Sequence, residues 1–147
     1  MNMETILTDG QRQLLIERLF AEKASCVICN GGDVRVFRER GIKDLYRLLC
    51  EEPVFLRGAF VADRVVGKGA AALMILGGVA EVFADVISRP ARDLFEEAHV
   101  RVDCRLETDH IVNRTKTGWC PVETLCRDCG TARECLPLIR KFIEKQA

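Results

Sequence analysis

The segment Gly67-Lys68-Gly69 has the residue types and spacing best suited to hold an anion. It follows an apolar stretch that ends at Ala62 and precedes the apolar run Ala70 to Leu76, which predicts a strand, a glycine turn and a buried helix. A helix start offers free N–H groups and a positive dipole end, and glycines admit close approach. We therefore predict a phosphate or carboxylate ligand here. The alternative is a tight turn whose glycines serve packing, beside a solvated lysine.

Two further polar residues are predicted to lie in one cleft with this anion site. Asp63, at the predicted end of the strand, is a catalytic candidate together with Lys68, because ligands of open α/β sheets gather beyond the strand ends. Its alternative role is to cap a turn. Ser88 precedes Arg89-Pro90 and should cap the next helix beside the same cleft. The turn is not a Walker A loop, because Gly69 stands where serine or threonine would hold magnesium.

A second polar segment runs from Asn113-Arg114 to Gly118-Trp119-Cys120-Pro121-Val122-Glu123. Proline at the first helical position predicts a helix start with Cys120 as its cap, where the dipole would favour a thiolate and make Cys120 a candidate nucleophile. Asn113, Arg114 and Glu123 would add ligand contacts. The alternative is that Cys120 is a buried cap and that Glu123 satisfies the backbone.

The cysteine-rich tail, residues 120–147, predicts a third kind of site. Its four thiols with a central CxxC pair could hold zinc or an iron–sulfur cluster: Cys120, Cys126, Cys129 and Cys135. Their spacing matches no common metal template, so our primary prediction is no metal. In this prediction the four cysteines are reduced thiols on short helical turns, and the metal site is the alternative.

The elements that must position these residues follow from hydrophobic periodicity. Thr8 and Gln11 form a capping box for a helix over about 9–23, and the segment 26–38 predicts a β-hairpin around Asn30-Gly31-Gly32-Asp33. We then predict a helix ended by Pro53, a strand over Phe55 to Ala62, the buried helix, and further strands over Val79 to Ile87 and Val100 to Leu106. The last strand alternates apolar and charged residues, which indicates a sheet edge.

Length and charge restrict the class of protein. The chain has 147 residues and a net charge of zero, which predicts one α/β domain over residues 1–147 without a nucleic-acid footprint. No apolar run approaches the roughly 20 residues that cross a bilayer, so we predict no membrane partner. Residues 1–5 do not look like a signal peptide. We therefore expect a cytoplasmic protein whose eight cysteines are reduced.

Three motifs, in this order and spacing, resemble a family: Ala62 to Ala71, Val86 to Ala91, and Asn113-Arg114 with Gly118 to Glu123. The resemblance covers about residues 24–127. The family is a domain-of-unknown-function family of uncharacterised bacterial and archaeal proteins with a fold similar to that of cytidine deaminase. It implies a three-layer α/β/α sandwich, with a mixed sheet that starts with the hairpin.

The resemblance also implies which residues would do deaminase chemistry. In deaminases a His-x-Glu motif and a Pro-Cys-x-x-Cys motif open two core helices and hold zinc. Here Lys68 stands near the histidine position, Ala70 near the glutamate and Ala91 near the first cysteine. We therefore expect no zinc at this position and no zinc-dependent deamination.

Three hypotheses from different classes follow. The leading one is a binding or enzymatic domain for a phosphate-bearing small molecule, such as a nucleotide, at Gly67-Lys68-Gly69. The second is a metal-binding or redox-responsive interaction module built on the tail cysteines. The third is a structural homodimer without a ligand, which uses the edge strand for pairing.

Overall fold

The protein is a mixed α/β domain built around one five-stranded sheet. A computed structural model describes residues 7–39, 41–112, 118 and 120–146. Along the sheet the strand order is β2-β1-β3-β4-β5. The strands are β1 (Cys26–Asn30), β2 (Asp33–Phe37), β3 (Phe60–Val66), β4 (Glu81–Ser88) and β5 (Arg101–Thr108).

Helices occupy most of the connections between the strands. They are α1 (Asp9–Ala21), α2 (Lys43–Glu51), α3 (Pro53–Leu56), α4 (Lys68–Leu76), α5 (Arg89–Glu97), α6 (Pro121–Cys126) and α7 (Ala132–Gln146). Within the described ranges, every helix is too short or too polar to cross a membrane.

The sheet combines antiparallel and parallel pairing. β1 pairs antiparallel with both β2 and β3, while β3, β4 and β5 run parallel. The predicted hairpin is confirmed, and Gly31 in its turn has a φ of +60°, a conformation that costs glycine little. Parallel strands need crossover connections, which α4 and α5 supply. The carboxyl ends of β3 and β4 therefore lie side by side, each followed at once by a helix.

Two separate hydrophobic clusters lie against the sheet. The larger one joins the buried helix α4 to β3, β4 and helices α2, α5 and α7. The smaller one packs Leu15 and Leu19 of α1 against Val27 and Phe60. The capping box of α1 is confirmed, since Gln11 N donates to Thr8 Oγ1 at 3.1 Å and Thr8 N donates to the Gln11 side chain at 2.8 Å.

Both boundaries of β3 differ from the prediction. Phe55 and Leu56 are helical in α3 and buried, so the strand predicted from Phe55 begins only at Phe60. Proline suits the first turn of a helix, and Pro53 therefore opens α3 as well as ending α2. Asp63 lies inside β3 rather than at its end, because the strand continues to Val66.

Candidate functional site

The starts of α4 and α5 converge on one buried carboxylate. Glu123 is 2% exposed. Its Oε1 accepts hydrogen bonds from Lys68 N at 3.0 Å and from Ser88 Oγ at 3.0 Å. Its Oε2 accepts a hydrogen bond from Ile111 N at 2.9 Å. The first helical N–H of α4 and the cap residue of α5 are thus satisfied by the same side chain.

This carboxylate accounts for the anion-binding pattern of Gly67-Lys68-Gly69. A negative charge is stabilised at a helix N-terminus, and here Glu123 supplies it. A Cβ added at Gly67 would lie 2.9 Å from Glu123 Oε2, and one at Gly69 would overlap a methyl group of Val122. Because the two glycines lack side chains, α6 can pack closely against α4. This agrees with the alternative in which the glycines of this turn serve packing.

Glu123 does not cap its own helix. The start of α6 has Cys120 as its cap residue and no side-chain capping bond. The expectation that Glu123 satisfies backbone groups holds for Lys68 and Ile111, which lie far from it in sequence. Only the tertiary packing of α6 across α4 brings these groups together.

Lys68 is also engaged within the protein. It is 7% exposed, and its Nζ donates to the carbonyl of Arg127 at 3.3 Å and to that of Cys129. These carbonyls follow the end of α6, where a cation is favourable. The ammonium group therefore joins α4 to the α6–α7 connection and is not solvated.

The thiols of Cys126, Cys129 and Cys135 form a hydrogen-bonded group beside Lys68. A hydrogen bond from Cys135 lowers the pKa of Cys126. Burial raises the pKa of Cys129 to about 11, and the bond to Cys126 raises that of Cys135. Cys120 does not join them, because it lies at the opposite end of α6. In the described part of the chain no three His, Cys, Asp or Glu side chains are arranged to hold a metal ion.

A cavity of about 1120 Å³ lies beside this region, at the carboxyl half of β3. Of the residues selected from sequence, five line it: Asp63, Gly67, Gly69, Cys120 and Glu123. Lys68 and Ser88 do not line it, since both side chains are used as described above. Asn113 and Arg114 lie outside the described residues.

Asp63 is the most unusual group in the cavity wall. Val65 N donates to its Oδ1 at 3.3 Å, and burial raises the pKa of Asp63 to about 7. No lysine or arginine of the described ranges forms an ion pair with it. Near neutral pH this carboxyl can therefore donate or accept a proton.

Cys26 lies directly across from Asp63 in the β1–β3 pairing. Its thiol is buried, and burial, with Asp63 and Asp44 nearby, raises its pKa well above the ordinary value. Burial also raises the pKa of Asp44, which lines the same cavity. This part of the wall therefore favours the neutral forms of Asp63, Cys26 and Asp44.

Four basic residues also lie in the cavity wall, together with Glu39 and many apolar side chains. Lys23, Arg38 and Lys43 are exposed residues of its wall. Arg64 is half-buried, stacks on the Phe20 ring at 4.8 Å and has a buried Nε without a hydrogen-bond partner in the described structure. Arg64 lies in the motif Ala62 to Ala71, although the sequence analysis did not select it as a site residue. Lys23, Arg38 and Lys43 were missed because they reach the cavity from three other segments of the chain, which show no shared motif.

Comparison with known proteins identifies the family of the chain. Residues 15–143 match the family model described as "TM1506: Domain of unknown function (DUF1893)". The chain belongs to this DUF1893 family, which confirms the domain-of-unknown-function resemblance.

One solved structure is similar over nearly the whole chain. It is the crystal structure of a DUF1893 family protein (TM1506) from Thermotoga maritima, with a TM-score of 0.85 and 18% sequence identity. The alignment covers 96% of this chain and 95% of that one. At this identity the likeness concerns the fold alone. No curated protein matches the sequence.

Proposed function

We propose that this chain is a small-molecule-binding domain with a cytidine deaminase-like architecture, and that its cavity takes a nucleotide or a similar phosphate-bearing molecule. The architecture is supported by the leading hairpin, the parallel β3-β4-β5 series and the helices against both faces of the sheet. The cavity lies at the carboxyl end of β3, where ligands of α/β sheets gather.

The residues do not fit a deaminase zinc centre. The helix starts that would carry its ligands offer Lys68, Ala70 and Ala91, and none of these is a zinc ligand of the kind used there. The carboxylate of Glu123 already bridges both helix starts. The proposal therefore includes no zinc-activated water.

The main support for a ligand in this cavity is the environment of Asp63. Its carboxyl has a pKa of about 7 and lies in the wall of a large cavity. A carboxyl that is partly protonated at neutral pH can both donate and accept hydrogen bonds, as a nucleobase edge with a ring-nitrogen acceptor and an amino donor requires. If the bound molecule reacts, Asp63 is the group suited to transfer a proton. Cys120, in the same wall, is the candidate nucleophile.

The phosphate contact is assigned to the basic side chains of the wall rather than to Lys68. Lys43 and Arg64 lie on two different elements of the cavity, and arginine presents a planar fork that suits phosphate. The unpartnered Nε of Arg64 supports this assignment. Gly67 and Gly69 would contribute their backbone to the wall.

Calorimetric titration tests the proposal. Adenosine and cytidine monophosphates, their nucleosides and inorganic phosphate are titrated into the protein. We expect a nucleotide to bind, Lys43→Ala to weaken nucleotide more than nucleoside, and Asp63→Asn to weaken both. Lys141→Ala, at an exposed position outside the cavity, is the control. Absence of binding by every probe, or equal loss in the control, would contradict the proposal.

A further inference from the structure

The outer edge of β5 is open for pairing. β5 is the last strand in the sheet order, and in the described part of the chain its ladder is with β4. It is eight residues long, and it contains neither proline nor glycine. An edge strand of this kind presents unpaired N–H and C=O groups that a further strand can join.

The charge pattern of β5 favours pairing with a second copy of the same strand in one antiparallel register. The strand reads Arg101, Asp103, Arg105 and Glu107, with apolar residues or cysteine between them. If a second copy of β5 pairs antiparallel about a two-fold axis at Cys104, Asp103 lies opposite Arg105 of that copy. Arg101 then lies opposite Glu107. Opposite charges across an antiparallel pair stabilise it.

The neighbouring registers lack this complementarity. A two-fold axis at Asp103 would oppose the two Asp103 carboxylates and set Arg101 against Arg105, and like charges across a pair are destabilising. The side chains of Asp103 and Arg105 are 63% and 62% exposed and can reach a second copy, although within one copy Asp103 also pairs with Arg101 at 3.7 Å and Arg105 with Asp85. The register at Cys104 also sets Val102 opposite Leu106, and Leu106 is 46% exposed in one copy.

We propose that β5 is a homodimer interface, at which two copies pair antiparallel about Cys104 to form one continuous ten-stranded sheet. The main-chain hydrogen bonds supply the affinity, and the Asp103–Arg105 pairs determine the register. This interface is at the sheet edge and is independent of the cavity beside Asp63.

Disulfide cross-linking tests the register. Directly opposed residues of an antiparallel pair have Cβ atoms roughly 4.5–5.5 Å apart, close to the separation that a disulfide requires. We expect mild oxidation to give a covalent dimer that Cys104→Ser abolishes and that Cys50→Ser, at another cysteine accessible to solvent, leaves intact. A covalent dimer that persists in Cys104→Ser would overturn the register.

Charge exchange tests the interface without a covalent bond. In sedimentation equilibrium, Asp103→Arg should raise the dimer dissociation constant about tenfold or more, because the two symmetry-related Asp103–Arg105 pairs become repulsive. Adding Arg105→Asp restores complementarity, and we expect it to recover part of the affinity although Arg105 also pairs with Asp85. A wild-type protein that stays monomeric near millimolar concentration, or a dimer indifferent to Asp103→Arg, refutes the interface.

Discussion

Two carboxylates near the same end of the sheet have opposite surroundings. Glu123 is buried between two helix starts and accepts three hydrogen bonds, from Lys68 N, Ser88 Oγ and Ile111 N. Asp63 lies in the wall of the cavity with a main-chain bond from Val65, and burial raises its pKa to about 7.

The difference separates structure from function at this site. A buried carboxylate that accepts hydrogen bonds from three donors stabilises the fold, as Glu123 does. A buried carboxyl with fewer donors and no cation, such as Asp63, costs stability when it is charged at neutral pH. A protein that keeps such a group in a cavity gains a polar contact for a ligand there. We therefore assign Glu123 to stability and Asp63 to binding, and the following substitutions test that division.

The largest effect is expected at Glu123. Glu123→Gln places an NH₂ group among three donors and should lower the free energy of unfolding by about 3 kcal/mol, since buried donors lose a charged acceptor. Glu134→Gln is the matched control, because its exposed carboxylate also accepts backbone N–H groups, from Gly130 and Thr131. Denaturant titration should show a loss below about 1 kcal/mol there. If Glu123→Gln and Glu134→Gln lowered the free energy of unfolding equally, the assignment of Glu123 to stability would be contradicted.

Gly69→Ala tests whether the glycine turn serves packing. The added methyl would overlap Val122, and overpacking of this kind costs about 1–3 kcal/mol. Gly32→Ala, where a Cβ meets nothing within 4 Å, should change stability little. The comparison is made by thermal unfolding. A stable Gly69→Ala variant would show that α6 does not need this close approach.

Asp63→Asn should stabilise the protein at alkaline pH. The folded-state pKa lies above the ordinary value of 3.8, so the native state holds a proton that the unfolded state loses. The wild-type free energy of unfolding should therefore fall as pH rises from about 4 to about 7 and level off above. At pH 8 we expect the free energy of unfolding of the variant to exceed that of the wild type by about 2 kcal/mol. This is less than the full pKa shift of Asp63 implies, because the carboxyl faces an open cavity where solvent screens its charge.

The measurement is a series of denaturant titrations from pH 4 to pH 8. Asp44→Asn, at a second cavity carboxyl whose pKa burial also raises, should flatten the same profile less. A wild-type profile that rises across this range would contradict the assignment of Asp63.

Lys68→Met gives the smallest expected effect. Its ammonium group binds the carbonyls of Arg127 and Cys129, and its loss should cost about 1–2 kcal/mol. The charge of Lys68 also helps to lower the pKa of Cys126, so the variant should raise that pKa, measured by thiol alkylation against pH. Nucleotide binding should persist. If the variant lost affinity for nucleotide and phosphate but still bound nucleoside, Lys68 would have to be assigned to the ligand site.

Local chemistry in the sequence determined much of the fold. The capping box at Thr8, the hairpin turn at Gly31, the buried helix α4 and the edge strand β5 were all predicted, because each depends on residues close together along the chain. Two element boundaries were exceptions. After Pro53 the chain forms helix α3 with Phe55 buried, where a strand was predicted. Asp63 lies within β3 and not at its end, because the strand continues to Val66.

The site itself depended on tertiary structure. The sequence predicted an anion at Gly67-Lys68-Gly69, because a helix start and two glycines are local features. It did not show that the anion is Glu123, which lies 55 residues beyond Lys68, or that Lys68 points to the end of α6. Nor did it show that Asp63, Lys43 and Arg64 surround one cavity. Those relations arise from packing between distant elements, which no local spacing encodes.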